Sequence, residues 1–206
     1  MQGLVTNDKQ LLYGKEMVDA IYSEQIVQDY DSNPLIEALP PIFTEDQVIE
    51  QLSVFPSFDE KERVLNSNYR FHCVQRLFQY FQPFETHLDL EQRISRAIRQ
   101  GYLHRNPMQK EEVMRVHESY QAIKAGKFLS NYQTEAKRTA AGFTIIGLSG
   151  IGKSTAIERV LSFYPQLIKH REYKGQPFIF TQISWLKLEC PFDGSLKGLC
   201  MSFFPN

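Results

Sequence analysis

The sequence predicts an α/β fold, and three consecutive stretches near its middle support this prediction. Residues 143–146 (FTII) form a short β-branched and aromatic run, which is typical of a buried strand. The glycine-rich residues 147–152 follow, and residues 155–161 then show the apolar spacing of a helix. Further along the chain, extended runs at 167–168 and 177–188 precede a helical start at 195–200. Such alternation of strand and helix favours a parallel sheet.

The glycine-rich stretch carries the chemistry. Residues 147–155 (GLSGIGKST) match G-x-x-x-x-G-K-[ST], the pattern of a phosphate-binding loop. Glycines let successive backbone N–H groups point at a phosphate, Lys153 adds a positive charge, and Ser154 offers a hydroxyl to Mg²⁺. A glycine turn that happens to contain a lysine is the alternative. The predicted ATP phosphate-binding residues are Gly147, Leu148, Ser149, Gly150, Ile151, Gly152, Lys153, Ser154 and Thr155.

Composition excludes several classes of protein. The chain has 206 residues, of which 42% are hydrophobic and 23% charged, so it can bury a sizeable core. We find neither an apolar run of membrane-spanning length nor a signal peptide at the N-terminus, and we expect a cytoplasmic protein. Cys73, Cys190 and Cys200 form no CxxC pair and the histidines show no ligand spacing. We therefore expect reduced, mostly buried thiols rather than a disulfide or a zinc site.

Charge is distributed unevenly along the chain. Residues 1–62 carry 3 basic and 13 acidic side chains, which leaves 20 basic and 11 acidic of the 23 and 24 in the whole chain. This asymmetry is typical of an acidic arm that meets a protein and a basic body that meets a polyanion. Mutual neutralisation of the two parts explains it equally well.

Local signals place several helices before the loop. Residues 1–43 are polar and punctuated by prolines, so we expect an extended arm that docks on a partner or on its own body. Thr44 and Gln47 form a capping box for a helix through about residue 52, and Ser57 or Asp59 could cap another turn. Apolar side chains recur at helical spacing between residues 69 and 81. Further helices are expected over 86–98 (ended by Gly101), 108–125 (ended by Gly126) and 131–141.

Several segments in order resemble one family. Residues 33–41 (NPLIEALPP) resemble the NPFIEALPP stretch of the TnsC family, AAA+ ATPases of cut-and-paste transposons within the TniB/AAA ATPase superfamily. The resemblance extends over nearly the whole chain from about Tyr30. The other matching segments are 86–88 with 93–95 and 98–99, 101–102 with 105–107, 164–166 with 170–172, 186–190 with 194–197, and 203–204.

This resemblance implies a fold and a function. It implies a P-loop NTPase (AAA+) core, preceded by a helical region and an extended acidic N-terminal arm. Family members bind ATP and Mg²⁺, assemble on DNA as homo-oligomers, receive a target-selection protein of the TnsD or TniQ type, and activate transposase subunits of the TnsA and TnsB type. We therefore expect residues 1–66 to be a partner-docking arm and residues 67–206 to be a partial AAA+ ATP-binding domain.

The hydrolytic half of such a site is not recognisable in the sequence. The family's second acidic (Walker B) strand ends in Asp-Glu, and no hydrophobic run after the loop ends in that way. We therefore expect an incomplete core, an N-terminal fragment truncated before that strand, with no catalytic residue in this chain and weak or absent ATPase activity. Whether the chain is an enzyme is left open at this point.

Two further sets of residues are candidate contacts. The resemblance places Tyr102 or Asn106 beside the nucleotide base, with a hydrophobic contact at a helix end as the alternative for Tyr102. Arg93, Arg96 and Arg99 recur at roughly helical intervals and could contact DNA phosphates. A solvated helix face, or ion pairs with the acidic arm, would explain the arginines equally well.

The leading hypothesis is therefore an ATP-binding regulator of DNA transposition that links a target-recognition protein to the transposase. One alternative is an interaction module whose nucleotide site is vestigial. Another is a small P-loop kinase, for which the roughly fifty residues after Thr155 are few.

Overall fold

The computed structural model describes residues 17–126 and 142–203 of the protein. They divide into two compact units, which we describe separately. The first contains the described residues 17–21 and 165–203, and the second contains 22–126 and 142–164. The division predicted at residue 66 followed charge and family resemblance, and it does not coincide with these units. The helix predicted over 131–141 lies outside the described residues.

The first unit contains a three-stranded mixed sheet in the order β1-β2-β3. Strand β1 (Met17–Asp19) runs parallel to β2 (Leu167–Tyr173), and β2 runs antiparallel to β3 (Gln176–Ile183). Between β2 and β3, Lys174 and Gly175 both take positive φ, 48° and 77°. Such a two-residue turn reverses the chain directly, so the parallel arrangement expected after the glycine loop is wrong for this pair.

The C-terminal part of the first unit forms α7 (Leu196–Phe203), which confirms the helix expected near residue 195. The Asp193 carboxylate accepts a hydrogen bond from Ser195 N, and the Ser195 hydroxyl accepts one from Gly198 N. The three cysteines are free, as expected, but the predicted burial is wrong: Cys190 and Cys200 are exposed and Cys73 is half-buried.

The second unit is helical in its described part. Its α-helices and short 3₁₀ segments alternate with extended stretches, and Val54 pairs with Phe81 through two backbone hydrogen bonds. The α-helices are α1 (Pro34–Glu37), α2 (Glu45–Leu52), α3 (Ser67–Val74), α4 (Glu85–Leu103), α5 (Lys110–Lys124) and α6 (Lys153–Leu161). The 3₁₀ segments are Gln28–Tyr30, Glu60–Val64 and Gln75–Gln79.

The local helix signals were correct at most ends. The capping box is formed, since Gln47 N donates to Thr44 Oγ1 and Thr44 N donates to Gln47 Oε1. Asp59 caps the following 3₁₀ turn, and Gly126 ends the stretch after α5 with φ +66°. The prediction that Gly101 ends α4 is wrong, because the helix continues through it to Leu103.

Two apolar runs are placed differently from the prediction. Residues 143–146 pair with no strand among the described residues, and Ile146 is 92% exposed, so the expected buried strand is wrong. Residues 67–79 are helical as predicted, first α and then 3₁₀, but their apolar side chains do not form a core. Phe71 and Phe78 are 73% and 90% exposed.

The core of the second unit forms around one face of α4. Leu90 and Ile94 lie on this face, and Ala156 and Val160 of α6 are also buried. Residues 33–40, which we call the docked segment, lie against the same helix. Leu35, Ile36 and Leu39 of the docked segment are at most 4% exposed. The N-terminal arm therefore docks on its own body at these residues, one of the two outcomes expected from the sequence.

Candidate phosphate-binding loop

The glycine loop leads directly into α6 (Lys153–Leu161). Gly152 is the residue before the helix and takes φ +92°, and Gly150 takes φ +79°. Residues other than glycine rarely adopt this left-handed backbone conformation. These two glycines are therefore required by the path of the backbone, as expected for a loop that curls around an anion.

Lys153 closes over the loop. Its Nζ donates hydrogen bonds to the carbonyl oxygens of Gly147 at 2.9 Å and Leu148 at 2.7 Å. An ammonium has three N–H donors, and these two bonds use two of them. The positive charge is thus held over the start of the loop, beside the backbone that would surround a phosphate.

The N-terminus of α6 has no side-chain cap. The Ala156 amide donates to Gly152 O, and the amides before it in the first turn have no partner inside the helix. Ser154 and Thr155 in this turn are exposed, whereas Ala156 and Val160 anchor the helix in the core. The first turn therefore presents amide donors and the positive end of the helix dipole to solvent.

Magnesium would have to be held in part by the nucleotide. Ser154 places an exposed hydroxyl in the first turn of α6. No cluster of three or more His, Cys, Asp or Glu that could hold a metal ion occurs within residues 17–126 and 142–203. This donor set fits an ion bound by one hydroxyl, phosphate oxygens and water, a usual arrangement for Mg²⁺. The role of Ser154 as a magnesium ligand stays a prediction.

The structure gives Asn106 a different role from the predicted base contact. Asn106 is 6% exposed, its Nδ2 donates to Ser32 O at 2.8 Å, and its Oδ1 accepts from Met108 N at 2.9 Å. Both ends of the amide are therefore committed inside the protein. Tyr102 is half-buried near the end of α4, and its carbonyl oxygen accepts from Asn33 Nδ2. A base contact by the Tyr102 ring stays a prediction.

The three candidate arginines do not share one face of α4. Arg93 and Arg96 are exposed; Arg93 pairs with Asp89 of the same helix at 2.7 Å, and Arg96 donates to Gln92 O. Arg99 is only 1% exposed, and a buried guanidinium cannot reach a DNA phosphate. We therefore withdraw Arg99 as a DNA contact, whereas Arg93 and Arg96 stay predictions.

Arg99 belongs to a buried polar cluster that the sequence analysis missed. We define the cluster as Glu91, Ser95 and Arg99 of α4 together with Tyr164, each at most 5% exposed. Arg99 donates to Ser95 Oγ at 2.6 Å, and Tyr164 Oη donates to Glu91 Oε1 at 2.6 Å. Burial, aided by the hydrogen bond to Glu91, raises the pKa of Tyr164 to about 12. The phenol therefore stays a proton donor at neutral pH.

A signal for this cluster was present in the sequence. Glu91, Ser95 and Arg99 recur every four residues, so they share one face of a helix. Leu90 and Ile94 lie beside them on the apolar side, which places the polar residues at the edge of the buried face. Polar residues that continue an apolar stripe indicate an internal network rather than a surface patch.

No protein-family model matches this chain, and a search of the curated proteins found no matching sequence. Within the part of the chain that the structure describes, none of the helices has the length and apolar character needed to cross a membrane. The case for function therefore depends on the residues and geometry of the loop.

Proposed function

We infer that the protein binds Mg-ATP at residues 147–155. The observation that carries this proposal is the pair of hydrogen bonds from Lys153 Nζ to Gly147 O and Leu148 O. They place the motif lysine over its own loop, at the uncapped start of α6. Left-handed Gly150 and Gly152 give the loop the curvature that a phosphate cradle needs.

The experiment is a titration of the full chain with Mg-ATP, comparing wild type with Lys153→Ala. Removing one charged donor to phosphate costs about 1.5–3 kcal/mol, so we expect affinity to fall roughly ten- to hundredfold. Lys124→Ala is the matched control, because Lys124 is exposed in the last turn of α5. Equal affinity of wild type and Lys153→Ala would refute the assignment of the loop.

On the biological level, we propose an ATP-binding regulator of DNA transposition of the TnsC type. The support is the ordered resemblance of residues 33–41 and the later segments, together with the loop itself. In this proposal the protein links a TnsD- or TniQ-type target-selection protein to the transposase on DNA, as a homo-oligomer. The proposal is supported if the wild-type chain retains a TniQ-type protein only with Mg-ATP and Lys153→Ala does not retain it. Equal retention without Mg-ATP and in Lys153→Ala would contradict the proposal.

The DNA part of the proposal concerns Arg93 and Arg96, which are exposed on α4. If they contact phosphates, replacing both with alanine should weaken DNA binding and flatten its dependence on salt concentration. Arg93→Ala and Arg96→Ala are also measured singly, and Arg115→Ala is the control for each, because it removes one positive charge from an arginine that pairs with Glu112 on α5. An unchanged salt dependence after both replacements would remove these residues from the proposal.

A further inference from the structure

Polar side chains of the second unit bind backbone carbonyl groups at both ends of the docked segment. Asn106 Nδ2 binds Ser32 O just before the segment, and Arg99 Nη2 binds Pro40 O at its end, at 2.8 and 2.6 Å. In the opposite direction, Asn33 Nδ2 donates to Tyr102 O at 2.9 Å. Carbonyl contacts at both ends fix the position of the whole segment on α4, while its apolar side chains fill the core.

The contact at Pro40 continues into the buried polar cluster. Arg99 uses Nη2 for Pro40 O and Nη1 for Ser95 Oγ, so one guanidinium joins the docked segment to the cluster. On the same face of α4, the Glu91 carboxylate accepts a hydrogen bond from Tyr164 Oη at 2.6 Å. One face of α4 thus carries both the guanidinium that binds Pro40 O and the carboxylate that binds Tyr164.

Tyr164 lies just beyond the C-terminal end of α6, the helix whose N-terminus follows the phosphate loop. α6 ends at Leu161, and the amides of Phe163 and Tyr164 donate to Val160 O and Leu161 O. The Phe43 ring packs edge-on against Phe163, with ring centroids 5.5 Å apart. One end of α6 therefore meets the loop, and the other meets both the cluster and the chain just after the docked segment.

We propose that this cluster couples occupancy of the phosphate loop to the docking of residues 33–40, each favouring the other. The inference builds on the proposed nucleotide binding. A phosphate at the first turn of α6 restrains that helix, because it supplies acceptors for the backbone amides of this turn, which have no partner inside the helix. A better ordered α6 holds Tyr164 in place, and Tyr164 fixes the Glu91 face of α4, from which Ser95 holds the Arg99 guanidinium against Pro40 O. Coupling between two sites is reciprocal, so a docked segment also favours nucleotide binding.

The test is hydrogen exchange of the peptide that contains residues 33–40, measured on the full chain with and without Mg-ATP. The amides of Ile36, Glu37, Ala38 and Leu39 donate backbone hydrogen bonds in the docked state. In wild type we expect Mg-ATP to slow exchange of this peptide by about fivefold or more. In Tyr164→Phe, which lacks the hydroxyl, the ligand-induced slowing should disappear. Tyr69→Phe, at a position 65% exposed on α3, should respond like wild type.

The outcomes separate this inference from the proposed function. Mg-ATP binding without slower exchange in wild type, or with equal slowing in Tyr164→Phe, overturns the coupling and leaves nucleotide binding intact. No binding of Mg-ATP by wild type overturns both. Should Tyr164→Phe lose its native circular dichroism, Ser95→Ala takes its place, since it removes only the hydroxyl that binds the Arg99 guanidinium. Undiminished slowing in Ser95→Ala would equally overturn the coupling.

Discussion

Asn33 is the residue whose replacement tests the docked segment most directly. Its Oδ1 accepts from Leu35 N at 3.1 Å and caps α1, while its Nδ2 donates to Tyr102 O at 2.9 Å. Loss of an N-cap costs about 1 kcal/mol, and loss of a buried neutral hydrogen bond about another 1 kcal/mol. Tyr102 O still accepts from Arg105 N, so no carbonyl is orphaned. We expect Asn33→Ala to lower the free energy of unfolding of the second unit by about 2 kcal/mol.

Urea denaturation followed by far-ultraviolet circular dichroism measures this effect, because the second unit contains most of the described helices. Asn66→Ala is the matched control. Asn66 also precedes a helix, α3, but its side chain makes no capping bond, so a change below about 0.5 kcal/mol is expected. Equal transition midpoints for the two variants would show that the docked segment contributes nothing through Asn33.

Two further predictions concern pH and backbone strain. Burial lowers the pKa of His170 below its ordinary value of 6.5, so the unfolded chain takes up the proton first as pH falls. The contribution of His170 to the free energy of unfolding is therefore fully present above pH 6.5 and is lost as pH falls through the lower pKa of the folded state. Urea denaturation followed by Trp185 fluorescence at several pH values should show this loss, and His170→Gln should make the loss smaller. Gly152→Ala forces a side chain into φ +92° and should cost about 1–2 kcal/mol, whereas Gly101→Ala, in a helix with open space around it, should stabilise the protein by up to about 1 kcal/mol. The same thermal-shift result for both glycine variants would contradict this reasoning.

Signals that act over a few residues could be predicted from the sequence. The structure contains three such local features: the capping box at Thr44, the helix end at Gly126 and the left-handed glycines of the loop. The Lys174–Gly175 turn was equally local but was overlooked, because residues 167–168 and 177–188 were considered as separate runs. In a sequence, a two-residue connection that contains glycine between two extended runs indicates a hairpin.

Features that depend on the partner of a segment could not be predicted in this way. Residues 143–146 have strand composition, yet β structure requires a neighbouring strand, and none among the described residues pairs with them. The arginines of α4 were grouped because they recur every three residues. A step of three residues falls short of one helical turn, so Arg99 lies about 120° around the helix from Arg93. That rotation separates a buried guanidinium from an exposed one.

The hydrogen bonds of Lys153 also bear on the thermodynamics of ligand binding. A free lysine side chain carries about 2 kcal/mol of rotamer entropy, which a binding event normally has to remove. Here Gly147 O and Leu148 O already restrict the side chain before any ligand arrives. The loop is thus preorganised, and a phosphate that enters it meets a charge whose conformational freedom is already reduced. Preorganisation of this kind is expected to slow dissociation of the ligand more than it speeds association.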